Sequence, residues 1–203
     1  MIAIIDYGIG NLGSVYNMLR KLGADLRLTA EPAVVASADK LILPGVGAFD
    51  EGMRNLAERG LQDALDEAVL QRRTPILGIC LGMQLFSRRS EEDVLPGLGW
   101  IAADTVRFTF PAGADQPKVP HMGWNTIQAT GEHPLLEGLA EGRFYFVHSF
   151  YLRCHDESDV LATSLHGIEF AACLCRGNVV GTQFHPEKSH KFGLRLLGNF
   201  LRM

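Results

Sequence analysis

The sequence predicts an α/β fold: a central, mostly parallel sheet flanked by helices, with antiparallel strands in the C-terminal half. In the first half, short apolar strands alternate with amphipathic helices, an order typical of parallel sheets. These strands are apolar throughout, as expected where helices cover both faces. After residue 88, strand-like segments follow one another with only turn residues between them. Because no repeat or linker interrupts the chain, we predict a single domain over residues 1–203.

The N-terminal half contains four predicted strands and two predicted helices. The strands are IAIID, ADLRLTA, KLILPG and PILGIC, at 2–6, 24–30, 40–45 and 75–80. The first helix, NLGSVYNMLRKLG, carries an apolar stripe; Asn11 can cap its start and Gly23 can close it. The second helix runs from Phe49 to Arg73 with apolar residues at three- and four-residue spacing, and Gly60 can interrupt it.

The C-terminal half is rich in strands and ends in a helix. The strand-like segments lie at 99–110, 118–130, 143–153, 159–167 and 168–185. We expect them to pair largely antiparallel, either extending the first sheet or packing a second one onto it. The segment SHKFGLRLLGNFLRM, at 189–203, is predicted to form the closing helix.

Composition argues against several classes of function. The formal net charge is −4 and no run of like charges occurs, whereas nucleic-acid binding requires a concentrated basic face. The first residues lack the features of a signal peptide, and no apolar run reaches the length of about 18 residues that a membrane span needs. Four cysteines are too few for a disulfide scaffold, so we expect a reducing, cytoplasmic location.

We also predict that the chain holds no metal. The side chains considered as ligands are Cys154, His155, His166, Cys173 and Cys175. The C-x-C pair in EFAACLCRG lies in an apolar, strand-like run and lacks the spacing of a zinc ribbon or finger.

A glycine pattern follows the first strand. Gly8, Gly10 and Gly13 form G-x-G-x-x-G ahead of a helix, and Glu31 lies roughly 20 residues further on, as in dinucleotide-binding sites. Two residues intervene between the apolar strand and the first glycine, where that fingerprint expects a direct turn. We therefore predict a tight turn onto the helix and no nicotinamide site.

The segment PILGICLG places Cys80 between an apolar strand and the helix LGMQLFSRR, with glycines two residues before and two after it. One interpretation is a small buried hydrophobe, the usual state of a free cysteine. The other is a nucleophile elbow, a strained turn that presents one reactive side chain at the tip of a strand. A helix N-terminus favours a thiolate, which supports the second interpretation.

A candidate base lies in the segment GTQFHPEKS. His185 and Glu187 are two residues apart at the end of an apolar strand, so their side chains are expected on one face. A carboxylate beside an imidazole sets its tautomer and stabilises the imidazolium. With Cys80 as the nucleophile, these residues form a predicted Cys–His–Glu triad.

A nucleophile of this kind also needs donors for the oxyanion of the tetrahedral intermediate. The backbone N–H of Leu81 is one candidate, as in other elbows. The second is expected from LPGVGAF, at 43–49, where glycines flank Val46 and leave peptide groups adjustable; Gly47 is the other residue assigned there.

These motifs resemble a known family. GICLGMQ with a distant FHPE is similar to the class I, triad-type glutamine amidotransferases. Within them, DYGIGNLGSV, LPGVGAF, PHMGWN, YFVHSF and QFHPEKS resemble the glutaminase subunit of imidazole glycerol phosphate synthase, in the family order from Asp6 to Ser189. One departure is Phe150, which stands where we expect tyrosine after His-Ser.

The resemblance implies a glutaminase without a cofactor. Cys80 would attack the side-chain amide of glutamine, His185 would protonate the departing ammonia, and water would release glutamate from the resulting thioester. The residues implied to hold the amino-acid end of the substrate are Gly47, Gln84 and Ser149. For Gln84 the alternative is a solvated helix residue.

The resemblance also implies a partner, because released ammonia is lost unless an acceptor enzyme takes it up. The family pairs this subunit one-to-one with a separate (β/α)₈-barrel cyclase that makes imidazole glycerol phosphate and aminoimidazole carboxamide ribotide in histidine biosynthesis. Trp124, Asn125 and Lys188 match positions near that interface, although Trp124 can equally be a core aromatic. Three alternatives remain: the glutaminase of another synthase, a non-catalytic regulatory module, and a cysteine peptidase or hydrolase that needs no partner.

Overall fold

The computed structural model describes residues 1–111 and 116–203, and an eight-stranded mixed sheet lies at its centre. The strands are β1 (Ile2–Ile5), β2 (Leu26–Thr29), β3 (Lys40–Gly45), β4 (Ile76–Cys80), β5 (Ala103–Arg107), β6 (His121–Thr126), β7 (Gln128–Ala129), β8 (Arg143–His148), β9 (Phe150–Cys154), β10 (Val160–His166), β11 (Ile168–Arg176) and β12 (Val179–Thr182). In the central sheet they are ordered β2-β1-β3-β4-β12-β11-β10-β7.

Six α-helices surround this sheet in the described part of the chain. They are α1 (Leu12–Lys21), α2 (Pro32–Ser37), α3 (Phe49–Glu58), α4 (Leu61–Asp66), α5 (Leu81–Gln84) and α6 (His190–Arg202). A π-helical turn at Glu67–Gln71 continues α4, and 3₁₀ turns lie at Pro134–Leu136, Glu157–Asp159 and Pro186–Lys188. No helix among the described residues is both long and apolar enough to cross a membrane.

Both faces of the sheet are covered, as the apolar strands predicted. In β1, Ala3 and Ile5 enter one buried cluster, whereas Ile4 enters the cluster on the opposite side. The first cluster includes Leu56 of α3, and the second includes Leu197 of α6. This alternation follows from the two-residue period of a strand, which sends successive side chains to opposite faces.

The register of the central strands determines where the site forms. Strand β4 pairs in parallel with both neighbours, so that Gly45, at the end of β3, lies opposite Cys80. On the other side, Thr182 at the end of β12 lies opposite Ile79. Because all three strands end at the same edge, the segments that follow them converge there, as is usual for sites on α/β sheets.

The strands after residue 100 pair antiparallel with one another, as predicted, while β12 also pairs in parallel with β4. Strands β10, β11 and β12 extend the central sheet, while β5–β9 and β6–β8 form two separate ribbons. Both options considered from the sequence are therefore realised: one part extends the sheet, and another packs onto it.

The helix predictions are confirmed in part. The long helix is interrupted at Gly60, whose left-handed φ of 65° separates α3 from α4. Gly23 follows the end of α1 and donates its backbone N–H to the Arg20 carbonyl. The cap at Asn11 was wrong, because its side chain makes no capping hydrogen bond, and the short α2 was not foreseen.

The helix that follows the candidate nucleophile is shorter than LGMQLFSRR indicated. Helix α5 ends at Gln84, since the next backbone carbonyls are used by a different part of the chain. The carbonyls of Leu85 and Ser87 accept hydrogen bonds from the N–H groups of Leu98 and Gly99. Tertiary hydrogen bonds thus replace the helical bonds that local propensity favoured.

Candidate active site

The turn between β4 and α5 holds Cys80 in a strained conformation. Its φ of 54° and ψ of −110° lie outside the usual regions for a residue with a side chain, at a cost of about 1–3 kcal/mol. Both flanking glycines are sterically required: a Cβ on Gly82 would overlap the Leu43 carbonyl, and one on Gly78 would lie 2.7 Å from the Met83 nitrogen. The spacing of glycines around Cys80 therefore has a packing cause.

The candidate base and its carboxylate are completely buried. Nδ1 of His185 lies 2.8 Å from Oε1 of Glu187, and the two side chains are 1% and 2% exposed. The contact is made across the 3₁₀ turn Pro186–Lys188, not along a strand as predicted, because β12 ends at Thr182. The turn is secured by the Ser189 hydroxyl, which donates to the His185 carbonyl at 2.6 Å.

The free nitrogen of His185 is the chemically important one. Within the described residues, its Nε2 is buried and has no hydrogen-bond partner. Burial by itself lowers the pKa of His185, but the nearby Cys80 thiolate and Glu187 outweigh it and raise the pKa to about 10. The imidazolium is thus the favoured form when Cys80 is ionised.

The other three cysteines lie in different surroundings. All four thiols are free, and Cys173 is fully buried in β11, where desolvation raises the pKa of its thiol. Desolvation likewise raises the pKa of Cys154 to about 11 and also raises that of Cys175. These three thiols therefore lack the surroundings that activate a nucleophile.

A cavity of 330 Å³ opens beside the nucleophile, at the lower end of the size range of small-molecule sites. The residues that line it are Val46, Gly47, Cys80, Leu81, Gln84, Glu92, Pro120, Val147, His148, Ser149 and Phe150. The structure thus brings together every residue that the sequence assigned to the oxyanion hole and to substrate binding.

The two candidate oxyanion segments differ in their freedom to move. Leu81 begins α5, so its N–H has no acceptor within the helix. In the other segment, Gly47 has a φ of 113° and room for a Cβ, whereas a Cβ on Gly45 would collide with the Tyr7 hydroxyl and Gly82 nitrogen. The adjustable peptides are therefore those around Val46 and Gly47, not those before them.

The side chain of Gln84 is buried, and its NH₂ group is hydrogen-bonded to other residues of the chain. Its Nε2 donates to the Phe150 carbonyl at 3.0 Å and to Oε1 of Gln183 at 3.1 Å, so the alternative of a solvated helix residue was wrong. Contact with a substrate is left to its Oε1, and the assignment of Gln84 to substrate binding stays a prediction.

Three polar residues of the site were not identified from the sequence. One is His148, which lines the cavity. Glu92 lines the cavity, where burial raises the pKa of its carboxyl, and its Oε2 accepts the backbone N–H of Phe49 at 3.0 Å. It lies in the segment SEED, at 90–93, whose composition is that of an ordinary solvated loop. Gln183 is fully buried and contacts Cys80 through Nε2, 3.7 Å from Sγ; a polar residue in an apolar run was its only sequence signal.

The predicted interface residues lie near the edge of the sheet that holds the site, but their side chains make different contacts. Trp124 is 43% exposed and stacks on His190 with parallel rings 5.4 Å apart, so the alternative of a core aromatic was wrong. Lys188 places Nζ 5.5 Å from the centre of the Tyr145 ring. The amide of Asn125 is used inside the chain, where it donates to the Leu165 carbonyl.

The glycine-rich turn after β1 is packed against α3. Gly8 and Gly10 have positive φ values, and Gly13 lies within α1. A Cβ on Gly8 would meet the Arg59 guanidinium, which also donates to the Asp6 carbonyl at 3.3 Å. Protein side chains thus fill the space above the turn, in agreement with the tight-turn prediction.

The fold and the Cys–His–Glu arrangement at the strand edge define a class of enzyme that cleaves amides through a cysteine nucleophile. A sequence model of the family described as glutamine amidotransferase class-I matches residues 3–203. The imidazole glycerol phosphate synthase subunit HisH 2 of Methanococcus maripaludis is 51% identical over 203 residues, covering 100% of this chain and 99% of that one. The subunit of the same name from Pseudomonas aeruginosa is 51% identical and covers 100% of both chains.

The chain therefore belongs to the class-I glutamine amidotransferase family, among the HisH subunits of imidazole glycerol phosphate synthase. Solved structures agree on the fold. A crystal structure of a glutamine amidotransferase matches with a TM-score of 0.76 at 20% identity, covering 99% of this chain and 97% of the other. PurLQS from Thermotoga maritima matches with a TM-score of 0.75 at 17% identity, with the same coverage.

Proposed function

We propose that this chain hydrolyses glutamine to glutamate and ammonia and delivers the ammonia to a separate cyclase subunit in histidine biosynthesis. One observation carries the proposal: a buried His185–Glu187 pair leaves Nε2 of the imidazole without a partner near Cys80, and Cys80 lines a cavity. The names of the relatives, all subunits of imidazole glycerol phosphate synthase, support this substrate and pathway.

In the first half of the reaction, Sγ of Cys80 attacks the side-chain carboxamide carbon of glutamine. The tetrahedral oxyanion is held by the Leu81 N–H and a peptide N–H of the Val46–Gly47 segment. His185 is protonated because the nearby thiolate raises its pKa, and it donates a proton from Nε2 to the departing amine. Ammonia leaves, and a γ-glutamyl thioester remains on Cys80.

In the second half, His185 is neutral and accepts a proton from water through the same nitrogen. The hydroxide equivalent attacks the thioester carbonyl and forms a second tetrahedral intermediate. When this intermediate collapses, it expels the Cys80 thiolate and releases glutamate. Glu187 keeps Nδ1 protonated through its 2.8 Å contact, which leaves Nε2 as the base. No cofactor takes part in these steps.

Recognition of the amino-acid end depends on the polar groups that line the cavity. Glutamine carries an α-ammonium group, which needs acceptors or a negative charge, and an α-carboxylate group, which needs hydrogen-bond donors. The Glu92 carboxylate faces the cavity and suits the ammonium group. Backbone groups at Gly47 and Ser149, together with Oε1 of Gln84, supply the remaining polar contacts.

The proposed partner is a (β/α)₈-barrel cyclase, bound one-to-one, which uses the ammonia to form imidazole glycerol phosphate and aminoimidazole carboxamide ribotide. Trp124, Asn125 and Lys188 are the proposed interface residues. The exposed side chains of Trp124 and Met122 on β6 support an interface close to the catalytic edge. We propose a cytoplasmic location for this complex.

Replacement of Cys80 tests the proposal. In the complex with the cyclase, Cys80→Ala should lower glutamine-dependent synthesis by about 10⁴-fold or more, because the nucleophile is lost. Synthesis from added ammonium salts should persist, since the cyclase does not need the triad. The measurement is product formation from each nitrogen source.

The matched control is Cys175→Ala, which removes a half-buried thiol at the end of β11 and should retain glutamine-dependent synthesis. Synthesis from glutamine by Cys80→Ala at the parent rate would overturn the triad. Failure of the parent chain to hydrolyse glutamine with the cyclase would favour a regulatory module, and equal hydrolysis without any partner would favour an independent hydrolase.

A further inference from the structure

We propose that Gln183 positions the catalytic thiolate by donating a hydrogen bond to Sγ of Cys80, and that Gln84 acts through Gln183 by fixing the direction of its amide. This inference deepens the proposed function and rests on Cys80 being the nucleophile. It assigns Gln84 a positioning role in addition to the predicted contact with substrate.

The contacts form one continuous chain. The Nε2 of Gln183 lies 3.7 Å from Sγ of Cys80, within the range of an N–H···S hydrogen bond. The Oε1 of Gln183 accepts from Nε2 of Gln84 at 3.1 Å, and the same Nε2 donates to the Phe150 carbonyl at 3.0 Å. Gln183 and Gln84 are 0% and 5% exposed, so these contacts do not compete with bulk water.

A backbone carbonyl determines the direction of every bond in this chain. The Phe150 oxygen can only accept, so Gln84 must present its NH₂ group to it. The second hydrogen of that group then points to Gln183, which must accept it with its side-chain oxygen. The remaining NH₂ end of Gln183 is therefore directed at the Cys80 sulfur, and neither amide can rotate without breaking two bonds.

The hydrogen bonds available to the sulfur differ between the thiol and the thiolate. A neutral thiol can donate to the Val147 carbonyl, which lies 4.0 Å from Sγ. A thiolate can only accept, and the Gln183 N–H group together with the His185 imidazolium satisfies it. Because a buried anion without donors is strongly unfavourable, removing the Gln183 donor should shift the sulfur toward the thiol.

The backbone holds Gln183 in place independently of its side chain. Its N–H donates to the Ala172 carbonyl of β11 at 2.9 Å, directly after the end of β12. A near-isosteric replacement by methionine therefore removes the amide with little change of volume. The same replacement is suited to Gln84, which lies in α5.

The test measures the ionisation of Cys80 without requiring glutaminase activity. In the full-length chain, alkylation of Cys80 by iodoacetamide is followed against pH, with each cysteine resolved by mass spectrometry of its peptide. Gln183→Met should raise the midpoint of the profile by about one pH unit, a tenfold change in thiolate stability. Gln84→Met should raise it by a smaller amount, because Gln183 keeps its amide but loses its orientation.

Two internal comparisons keep the result interpretable. Alkylation of Cys175 in the same samples reports on folding, since its half-buried thiol lies far along β11 from the site and should keep the parent profile. Ultraviolet absorbance of the Cys80 thiolate, taken as the difference from a Cys80→Ala chain, gives the midpoint without depending on reagent access.

Each outcome decides one part of the proposal. An unchanged Cys80 midpoint in Gln183→Met, with a parent-like Cys175 profile, overturns the hydrogen bond to sulfur. Additive shifts in the Gln183→Met, Gln84→Met double variant overturn the relay, because Gln84 would then act independently. A chain that shows the midpoint shift but never hydrolyses glutamine with the cyclase would refute the proposed function and leave this inference standing.

Discussion

Two groups of buried histidines, the pair His121–His148 and the single residue His185, lie close together in this molecule. They differ in which of their ring nitrogens form hydrogen bonds. His121 and His148 contact each other, with Nδ1 of the first 3.0 Å from Nε2 of the second. The remaining nitrogens of this pair are also bonded, to the Asn125 amide and the Phe150 carbonyl. His185 is at least as buried, but only its Nδ1 is bonded. Burial therefore does not distinguish the proposed catalytic histidine from the other two, whereas its unbonded nitrogen does.

The two groups also differ in charge. Desolvation lowers the pKa of His121 to about 4 and that of His148 to about 3, so both are neutral at pH 7. The Phe150 carbonyl requires an N–H at Nδ1 of His148, whose Nε2 then accepts from His121. At His185, the Cys80 thiolate and Glu187 overcome desolvation and raise the pKa. One residue type is thus a neutral structural link in one place and, in the proposed mechanism, a proton carrier in the other.

The largest expected effect separates activity from stability. His185→Asn should lower glutamine-dependent synthesis by about 10⁴-fold or more, because the acid and base are both lost. His121→Asn is the matched control: it should keep most activity but lower the free energy of unfolding by about 1–3 kcal/mol through its broken buried hydrogen bonds. Steady-state kinetics in the complex and urea unfolding measure the two quantities. A His121 variant as inactive as the His185 variant would remove the distinction.

A smaller effect is expected at Glu187. Glu187→Gln retains an oxygen that accepts the Nδ1–H of His185 but no longer stabilises the imidazolium by charge. The loss of glutamine-dependent rate should be about 10- to 100-fold smaller than in His185→Asn. The pH–rate profile should also move to lower pH, since removal of the carboxylate lowers the pKa of His185. Equal losses in both variants, with unchanged circular dichroism, would show that the carboxylate does more than orient and stabilise the ring.

The smallest effect concerns stability against pH, and the two groups act in opposite senses. For His121 and His148 the folded pKa lies below the unfolded value of 6.5, so the unfolded chain binds more protons as pH falls. Their contribution is complete above about pH 6.5 and declines toward pH 4, by on the order of 2 kcal/mol per histidine at pH 5. For His185 the folded pKa is raised to about 10, so its contribution is complete below about pH 6.5 and lost toward pH 10.

Unfolding by urea at pH 7.5 and pH 5 measures this loss of stability at acidic pH. His121→Asn should reduce the difference in unfolding free energy between the two pH values. An identical difference in the parent and the His121 variant would show that the pair does not control acid stability.

Local sequence patterns predicted most of the secondary structure and provided the proposed triad. The apolar strands around residues 2–6, 40–45 and 75–80 and the break at Gly60 follow from spacing over a few residues, which depends only on near neighbours. Cys80, His185 and Glu187 were identified because each carries chemistry in a distinctive local motif. The same approach overestimated α5, where tertiary hydrogen bonds from Leu98 and Gly99 end the helix.

Only the tertiary structure decided which of these motifs meet. The parallel pairing of β12 with β4 brings Gln183 into contact with Cys80 across 103 positions of the chain. The tertiary structure also places Glu92, from a loop, in the lining of the cavity, and it bonds both ring nitrogens of His121 while Nε2 of His185 has no partner among the described residues. Sequence spacing encodes which face of an element a side chain occupies, whereas its neighbours depend on strand order, and strand order is settled by the packing of the whole sheet.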